Sequence, residues 1–402
     1  MTCSPDGPAP DWAARWPLDP TIAFLNHGSF GACPHAVLEA QQALRERMER
    51  EPVRFLSREL EGLLDGARAE LGAFVGAPAD DLAFVPNATT GVNTVLRSLP
   101  FAPGDELLTT DHVYPACRNA CERVAARTGA RVVVAPVPFP IDSPERVMET
   151  LFECVTPRTR LALLDHATSP TGLVFPVARL TGELAARGVD TLVDGAHAPG
   201  MVPLEVAALG AAYYTGNGHK WLCAPKGAAF LYVRPDRQAL IRPLVTSHGA
   251  SSPRRDRSGF RLEFDWTGTG DPTPYLTLPV AIRFLGGLLP GGWPALMARN
   301  REMALAAQRS LCRALDIPPP APDAMIGSLA SVPIPDGLPR DLTAGRSVDP
   351  LQAALFERFA LEALVLTWPA LPRRVLRVSA QLYNTPPQYE RLAEALRELL
   401  GR

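Results

Sequence analysis

The sequence predicts an α/β fold in which a mostly parallel seven-stranded sheet flanked by helices precedes a smaller α+β C-terminal domain. Three observations carry that expectation. From about residue 36 to 235, amphipathic stretches alternate with short apolar runs, the pattern of strands covered on both faces by helices. Beyond residue 245 the texture changes to a Ser/Arg/Gly-rich loop, one long helical stretch and three strand-like runs. Finally, 402 residues with 47% apolar content exceed what one hydrophobic core usually covers, so two domains are expected.

Taken in order, amphipathic spacing predicts helices over 34–51, 59–74, 115–127, 144–155 and 176–187. The intervening runs Leu82–Val85, Glu106–Thr109, Arg131–Ala135, Arg160–Asp165, Asp190–Asp194, Ala211–Thr215 and Ala228–Val233 are predicted strands. In the second half, a helix over 294–315, strands at Ser328–Pro333, Ala363–Trp368 and Arg374–Ser379, and a helix over 387–400 complete the pattern, with the proline-rich stretch 317–349 read as surface loop. The division that follows is an N-terminal arm over 1–35, a large domain over 36–260 and a small domain over 261–402, its boundary falling between 245 and 290.

Composition narrows the partners. A net charge of −2 gives no basic stripe for nucleic acid and no polybasic patch for a membrane, which points to a small-molecule substrate. Seven scattered cysteines without a Cys-x-x-Cys pair fit reduced thiols rather than disulfides or a zinc site, and Cys117 and Cys121, four apart on a helix, read as small buried residues. The first residues lack a secretory pattern and no apolar run is long enough to span a bilayer, so the expected compartment is the cytoplasm.

In parallel sheets ligands bind beyond the carboxyl ends of the strands, and polar residues cluster there. Lys220, in the run Tyr213 to Gly227, stands at the tip of a strand beside His219, well placed to form a Schiff base with a carbonyl cofactor. Pro86 to Asn93 follows a strand and opens a helix, where free N–H groups and the hydroxyls of Thr89 and Thr90 could hold a phosphate; Asn87 is equally a helix N-cap. Asp194, in Val-Asp-Gly-Ala-His, could keep a pyridine nitrogen protonated or simply cap a turn, with His197 three residues on. Tyr114 could stack on a cofactor ring or fill core, and His112 competes with it. Arg377, isolated in an alternating strand, reads as a carboxylate clamp or a surface ion pair. Their order and placement together describe pyridoxal phosphate chemistry.

With these motifs the chain resembles the class V aminotransferase family of pyridoxal-phosphate enzymes, of fold type I, closest to its isopenicillin N epimerase-like branch. The marks are Phe24 to Gly31, Asn87 to Asn93, Asp111 to Ala116, Thr168 to Gly172, Asp194 to His197, Asn217 to Trp221, Trp266 to Asp271 and Arg377 to Asn384, spread over nearly the whole chain. The resemblance implies that Lys220 carries the cofactor, Asp194 pairs with its ring nitrogen and Tyr114 stacks on the ring. It implies further that Thr89, Thr90, Asn217 and His219 hold the phosphate, with Thr269 reaching the neighbouring subunit's phosphate in a homodimer with shared sites. Ser169 or Thr168 and His197 would lie near the phenolic oxygen. Arg377 would grip the substrate carboxylate, and Asn26 and His27 would border the substrate.

The stretch 320–350, where desulfurases of this family carry a nucleophilic cysteine, has none, which argues against persulfide chemistry by that route. Lys220 would then act as acid and base at the substrate α-carbon, its pKa lowered by cationic, partly dry surroundings. Epimerisation leads, and needs a second proton donor from among Tyr114, His112 and His27; a C–S or other β-lyase and an aminotransferase are the enzyme alternatives. A non-catalytic cofactor-binding regulator is more remote, because no spare segment offers a DNA-binding helix-turn-helix.

Overall fold

The computed structural model describes residues 11–337 and 348–401. Its main sheet has seven strands in the order Leu82–Val85, Ala229–Val233, Tyr213–Asn217, Asp190–Gly195, Thr159–Asp165, Glu106–Thr110 and Arg131–Ala135. Ala229–Val233 pairs antiparallel with both neighbours and the other pairings are parallel. The central strands are continuously apolar and sealed, as Leu161 to Leu164 and Leu192–Val193 show, because helices such as Ala88–Ser98, Pro115–Thr128 and Val177–Ala186 cover the sheet. One strand differs from its predicted span. The ladder of Tyr213–Asn217 with Ala229–Val233 closes at Asn217 opposite Ala229, so Lys220 follows the strand by three residues rather than five.

The smaller domain is a three-stranded antiparallel sheet, with Arg374–Ser379 between Leu364–Thr367 and Leu329–Ile334. Helices Gly292–Leu315 and Pro386–Leu400 pack together, and the longer one also lies on this sheet. Helices Leu278–Gly286 and Pro350–Phe359 were not legible in the sequence pattern: both are about three turns or less and carry a proline in their first two positions that fits a first helical turn but reads as a break. Part of the proline-rich stretch, 338–347, lies outside the described residues.

What places the site is the way the N-terminal segment and the two sheets meet. Ala23–Phe24 pairs with Leu361–Glu362, which ties the beginning of the chain to the smaller domain and carries Asn26 to Phe30 over the end of the large sheet. Ser331 Oγ donates to the Pro170 carbonyl at 3.0 Å, and Leu173 bridges to Ile326, fixing the small sheet against the loop after Thr159–Asp165. Gly31 then packs directly on the lysine turn: at φ +69° it adopts the left-handed region, and a Cβ there would lie 1.9 Å from the His219 carbonyl oxygen. Gly31→Ala is expected to cost about 1–3 kcal/mol through backbone strain and this clash, read as a lower urea midpoint at unchanged slope. An unchanged midpoint would show that the segment does not pack on the lysine turn in solution.

Candidate active site

Lys220 lies in a tight turn pinned from behind. Its carbonyl accepts the Cys223 N–H at 2.9 Å and the His27 Nε2–H at 3.0 Å. Cys223 holds φ +54° although it is not glycine, and its side chain is fully buried, so packing sustains a strained backbone here. The amine points forward. Lys220 Nζ lies 3.0 Å from His197 Nε2, and burial, then the charge of Arg377, bring the lysine down to about 7. His197 is neutral, its pKa held far below the usual histidine range by burial and by Lys220, so Nε2 accepts from the amine; its Nδ1 is buried without a partner among the described residues.

Asp194, the last residue but one of its strand, is in register with Asp165 at the end of the neighbouring one, which puts two buried carboxyls side by side. Burial raises both, and Asp165 further because Asp194 is its neighbour. The charged form is favoured at Asp194, where the Ala196 N–H at 3.0 Å, the Cys117 thiol at 3.2 Å and Lys220 all act in its favour. Neither Asp165 nor Cys117 stood out in the sequence: an aspartate ending a strand reads as a cap, and a helical cysteine as filler.

Arg377 enters from the smaller domain. It is 2% exposed, and its guanidinium donates to the Ser169 carbonyl at 2.5 Å, to Ser29 Oγ at 2.9 Å and to Asn26 Oδ1 at 3.4 Å. No carboxylate pairs with it, and Nε has no partner among the described residues. Burial lowers its pKa to about 10, so it remains charged at neutral pH.

The phosphate-turn residues lie where strand and helix meet. Asn217 Oδ1 accepts the Ala88 N–H at 2.8 Å, tying the end of one strand to the start of helix Ala88–Ser98, while Asn87 Oδ1 caps that helix through the Thr90 N–H at 2.8 Å. Gly91 allows the close seat of this helix, since a Cβ there would meet Thr215 Oγ1 at 2.3 Å. The Thr90 hydroxyl gives its proton to Asn87 at 3.0 Å, whereas the Thr89 N–H and hydroxyl have no partner among the described residues. His219 donates from Nδ1 to the Ala228 carbonyl at 3.0 Å, and its pKa is down to about 4, chiefly from burial and Lys220.

Two of the expected residues, His27 and His112, have both ring nitrogens engaged within the protein. His27 is fully buried, bonded through Nδ1 to Tyr383 Oη at 2.8 Å and through Nε2 to the Lys220 carbonyl; it supports the lysine turn and offers no ring nitrogen to a substrate. His112 is likewise buried, with its nitrogens on Thr171 Oγ1 at 2.7 Å and the Val137 carbonyl at 2.9 Å, so it does not serve as a second proton donor. Thr269 sits on an exposed loop and within this chain makes no contact with the Lys220 cluster. Tyr114, by contrast, is 43% exposed at the start of helix Pro115–Thr128, near enough to Arg377 to interact with it electrostatically.

Among the described residues this donor set fits pyridoxal phosphate: an amine brought down to about 7, a buried carboxylate whose side-chain donor is a thiol, an unpartnered ring nitrogen on His197, and a guanidinium with no carboxylate partner. Comparison with known proteins agrees. The class V aminotransferase family model matches residues 26–261. Over 396 residues the chain is 40% identical to the isopenicillin N epimerase of Amycolatopsis lactamdurans, covering 95% of this chain and 96% of that one. It is 30% identical to a probable chloroplastic L-cysteine desulfhydrase of Arabidopsis thaliana, covering 95% and 84%. The cysteine desulfurase CsdA of Escherichia coli superposes with a TM-score of 0.76 at 22% identity, over 96% of this chain and 97% of that one, a likeness of fold. The chain belongs to the class V aminotransferase family. It is a pyridoxal-phosphate enzyme of fold type I.

The low lysine pKa has a checkable cause. Removing a like charge favours the protonated amine, so Arg377→Gln in the apoprotein should move the midpoint of Lys220 acylation upward from about 7. A midpoint that stays put would mean that burial alone sets it.

Proposed function

We propose that this enzyme acts at the α-carbon of an amino acid or amino-acid-bearing metabolite, as an epimerase of the isopenicillin N epimerase kind. The observation that carries the reading is Arg377: a buried guanidinium without a carboxylate is strongly disfavoured unless an anion completes it, and a substrate carboxylate does so bidentately. In this assignment Thr89, Thr90, Asn217 and His219 hold the cofactor phosphate, with His219 taking up a proton at Nε2 to do so. Asp194 holds positive charge on the ring nitrogen, Tyr114 covers the ring, and His197 and Ser169 serve the phenolic oxygen. When bound, pyridoxal phosphate supplies the electron sink that stabilises negative charge at the substrate α-carbon.

Lys220, near neutrality, removes or returns the α-proton through Nζ, and its contact with neutral His197 keeps the amine oriented. Arg377 fixes the carboxylate, with Ser29 and Asn26 holding the guanidinium in place. Inversion requires a donor on the other face. Of the three groups considered, His27 and His112 have both ring nitrogens engaged, so Tyr114, with an exposed ring and a hydroxyl free of partners among the described residues, takes that part.

A homodimer in the cytoplasm is part of the same proposal. The loop holding Thr269 borders an apolar cavity of about 310 Å³, lined by Trp266, Phe264, Tyr275 and Leu244, that reaches Thr90; with Val245 exposed beside it, this is a surface suited to a second copy. Likeness to cysteine desulfhydrases supports β-elimination as the second reading.

In D₂O the enzyme should exchange and invert the α-hydrogen of its substrate, assayed on an amino-acid panel that includes isopenicillin N. Release of pyruvate or sulfide from cysteine without inversion would select the lyase. Tyr114→Phe should keep exchange and lose inversion; a variant that still inverts removes Tyr114 from the second face. Arg377→Ala should raise KM roughly 10- to 150-fold, the range of a charged hydrogen bond, with a smaller effect on kcat.

A further inference from the structure

The carboxylate of Asp194 is met by a group with no assigned part in this chemistry. Cys117, 0% exposed on the first turn of helix Pro115–Thr128, directs its Sγ at Asp194 Oδ2 from 3.2 Å, while Oδ1 takes the Ala196 N–H. We propose that Cys117 is a positioning residue whose thiol orients the Asp194 carboxylate and sets how strongly it holds the cofactor's ring nitrogen. This rests on the pairing of Asp194 with that nitrogen.

Three features support it. The thiol keeps its proton, because burial and the neighbouring Asp194 charge push Cys117 well above the usual thiol range, so it acts as donor and not as a competing anion. The other groups facing this point are Asp165, which burial and Asp194 keep protonated, Cys121 one helical turn on, Tyr214, and Lys220. Tyr214 pairs with Val193, one residue before Asp194, and its hydroxyl bonds His166 at 3.0 Å, so among the described residues the thiol is the only side-chain hydrogen bond to Asp194. A thiol is a weak donor. It fixes the rotation of the carboxylate while withdrawing little of its basicity, whereas a hydroxyl in that place would make a charge-assisted bond of ordinary strength and draw off more.

The helix also couples two parts of the site. Its N-cap is Tyr114 and its first turn holds Cys117, so one rigid element places both the exposed ring and the donor to the carboxylate.

The test is the ring N–H proton resonance of holoenzyme loaded with pyridoxal phosphate labelled with nitrogen-15 in the ring. Cys117→Ser should move the resonance upfield, because Asp194 is partly satisfied by the hydroxyl and pulls less on the ring N–H. Cys117→Ala should move it downfield. Opposite signs distinguish tuning from packing, since a loosened core would shift both variants the same way; near-ultraviolet circular dichroism checks that each is folded. Coincident resonances in wild type, Cys117→Ser and Cys117→Ala, or shifts of one sign, would overturn the proposal. Asp194→Asn separates the two layers: if it leaves the resonance unmoved, the pairing of Asp194 with the ring fails, and if it abolishes or strongly moves the resonance while the Cys117 variants do not, only the role of the thiol fails.

Discussion

Positive charge buried without its counter-charge is the constraint on which this site is built. Arg377 and Lys220 repel one another, and the carboxyls of Asp194 and Asp165 offset part of this at the lysine. Such an arrangement costs several kcal/mol per unpaired ion unless something offsets it. The lysine responds by becoming a near-neutral amine, whereas the guanidinium cannot readily lose its proton and instead gathers a carbonyl, a hydroxyl and an amide oxygen. The deficit that remains is what an anionic ligand fills. Binding and base chemistry are therefore linked: the charge that attracts a carboxylate adds to burial in bringing Lys220 down to about 7.

The fold supplies the two charges from opposite directions. Lys220 comes from a turn three residues beyond a large-sheet strand, Arg377 from the central strand of the small sheet, and the N-terminal segment stitches them together. Asn26 and Ser29 hold the guanidinium; the next two contacts of that segment, His27 and Gly31, press on the lysine turn. Six residues, Asn26 to Gly31, four of them in the helical turn His27–Phe30, thus link clamp and base. The strained Cys223 backbone lies on the same turn, where it is held by the surrounding core.

Much of this was legible in the sequence, for identifiable reasons. Strands buried on both faces write themselves as short apolar runs, so the sheet and the strand-end positions of Asp194 and Lys220 could be read directly. What linear pattern does not encode is register and burial. The adjacency of Asp165 to Asp194 exists only once two strands distant in sequence are paired, and helical periodicity turns Cys117 inward without saying that inward means a carboxylate. His27 and His112 looked available because a histidine near a strand end is chemically suitable; their partners, Tyr383 and Val137, lie 356 and 25 residues away. The role proposed for Thr269 lies across a subunit boundary, which a single chain does not contain.

The outcome of the reaction is decided on the face that Lys220 does not occupy. A lysine near neutrality serves epimerisation, elimination and transamination alike, because each begins with loss of the same proton. They part at the next step, where a proton arrives from the far side, a leaving group departs or the proton returns elsewhere. With His27 and His112 both sealed into hydrogen bonds, the remaining candidate for that face is Tyr114, exposed and close enough to Arg377 to interact with it electrostatically. On the proposed assignment the two faces are served by unlike groups, Lys220 exchanging a proton with one antipode and Tyr114 with the other, so inversion needs both while exchange needs only the lysine.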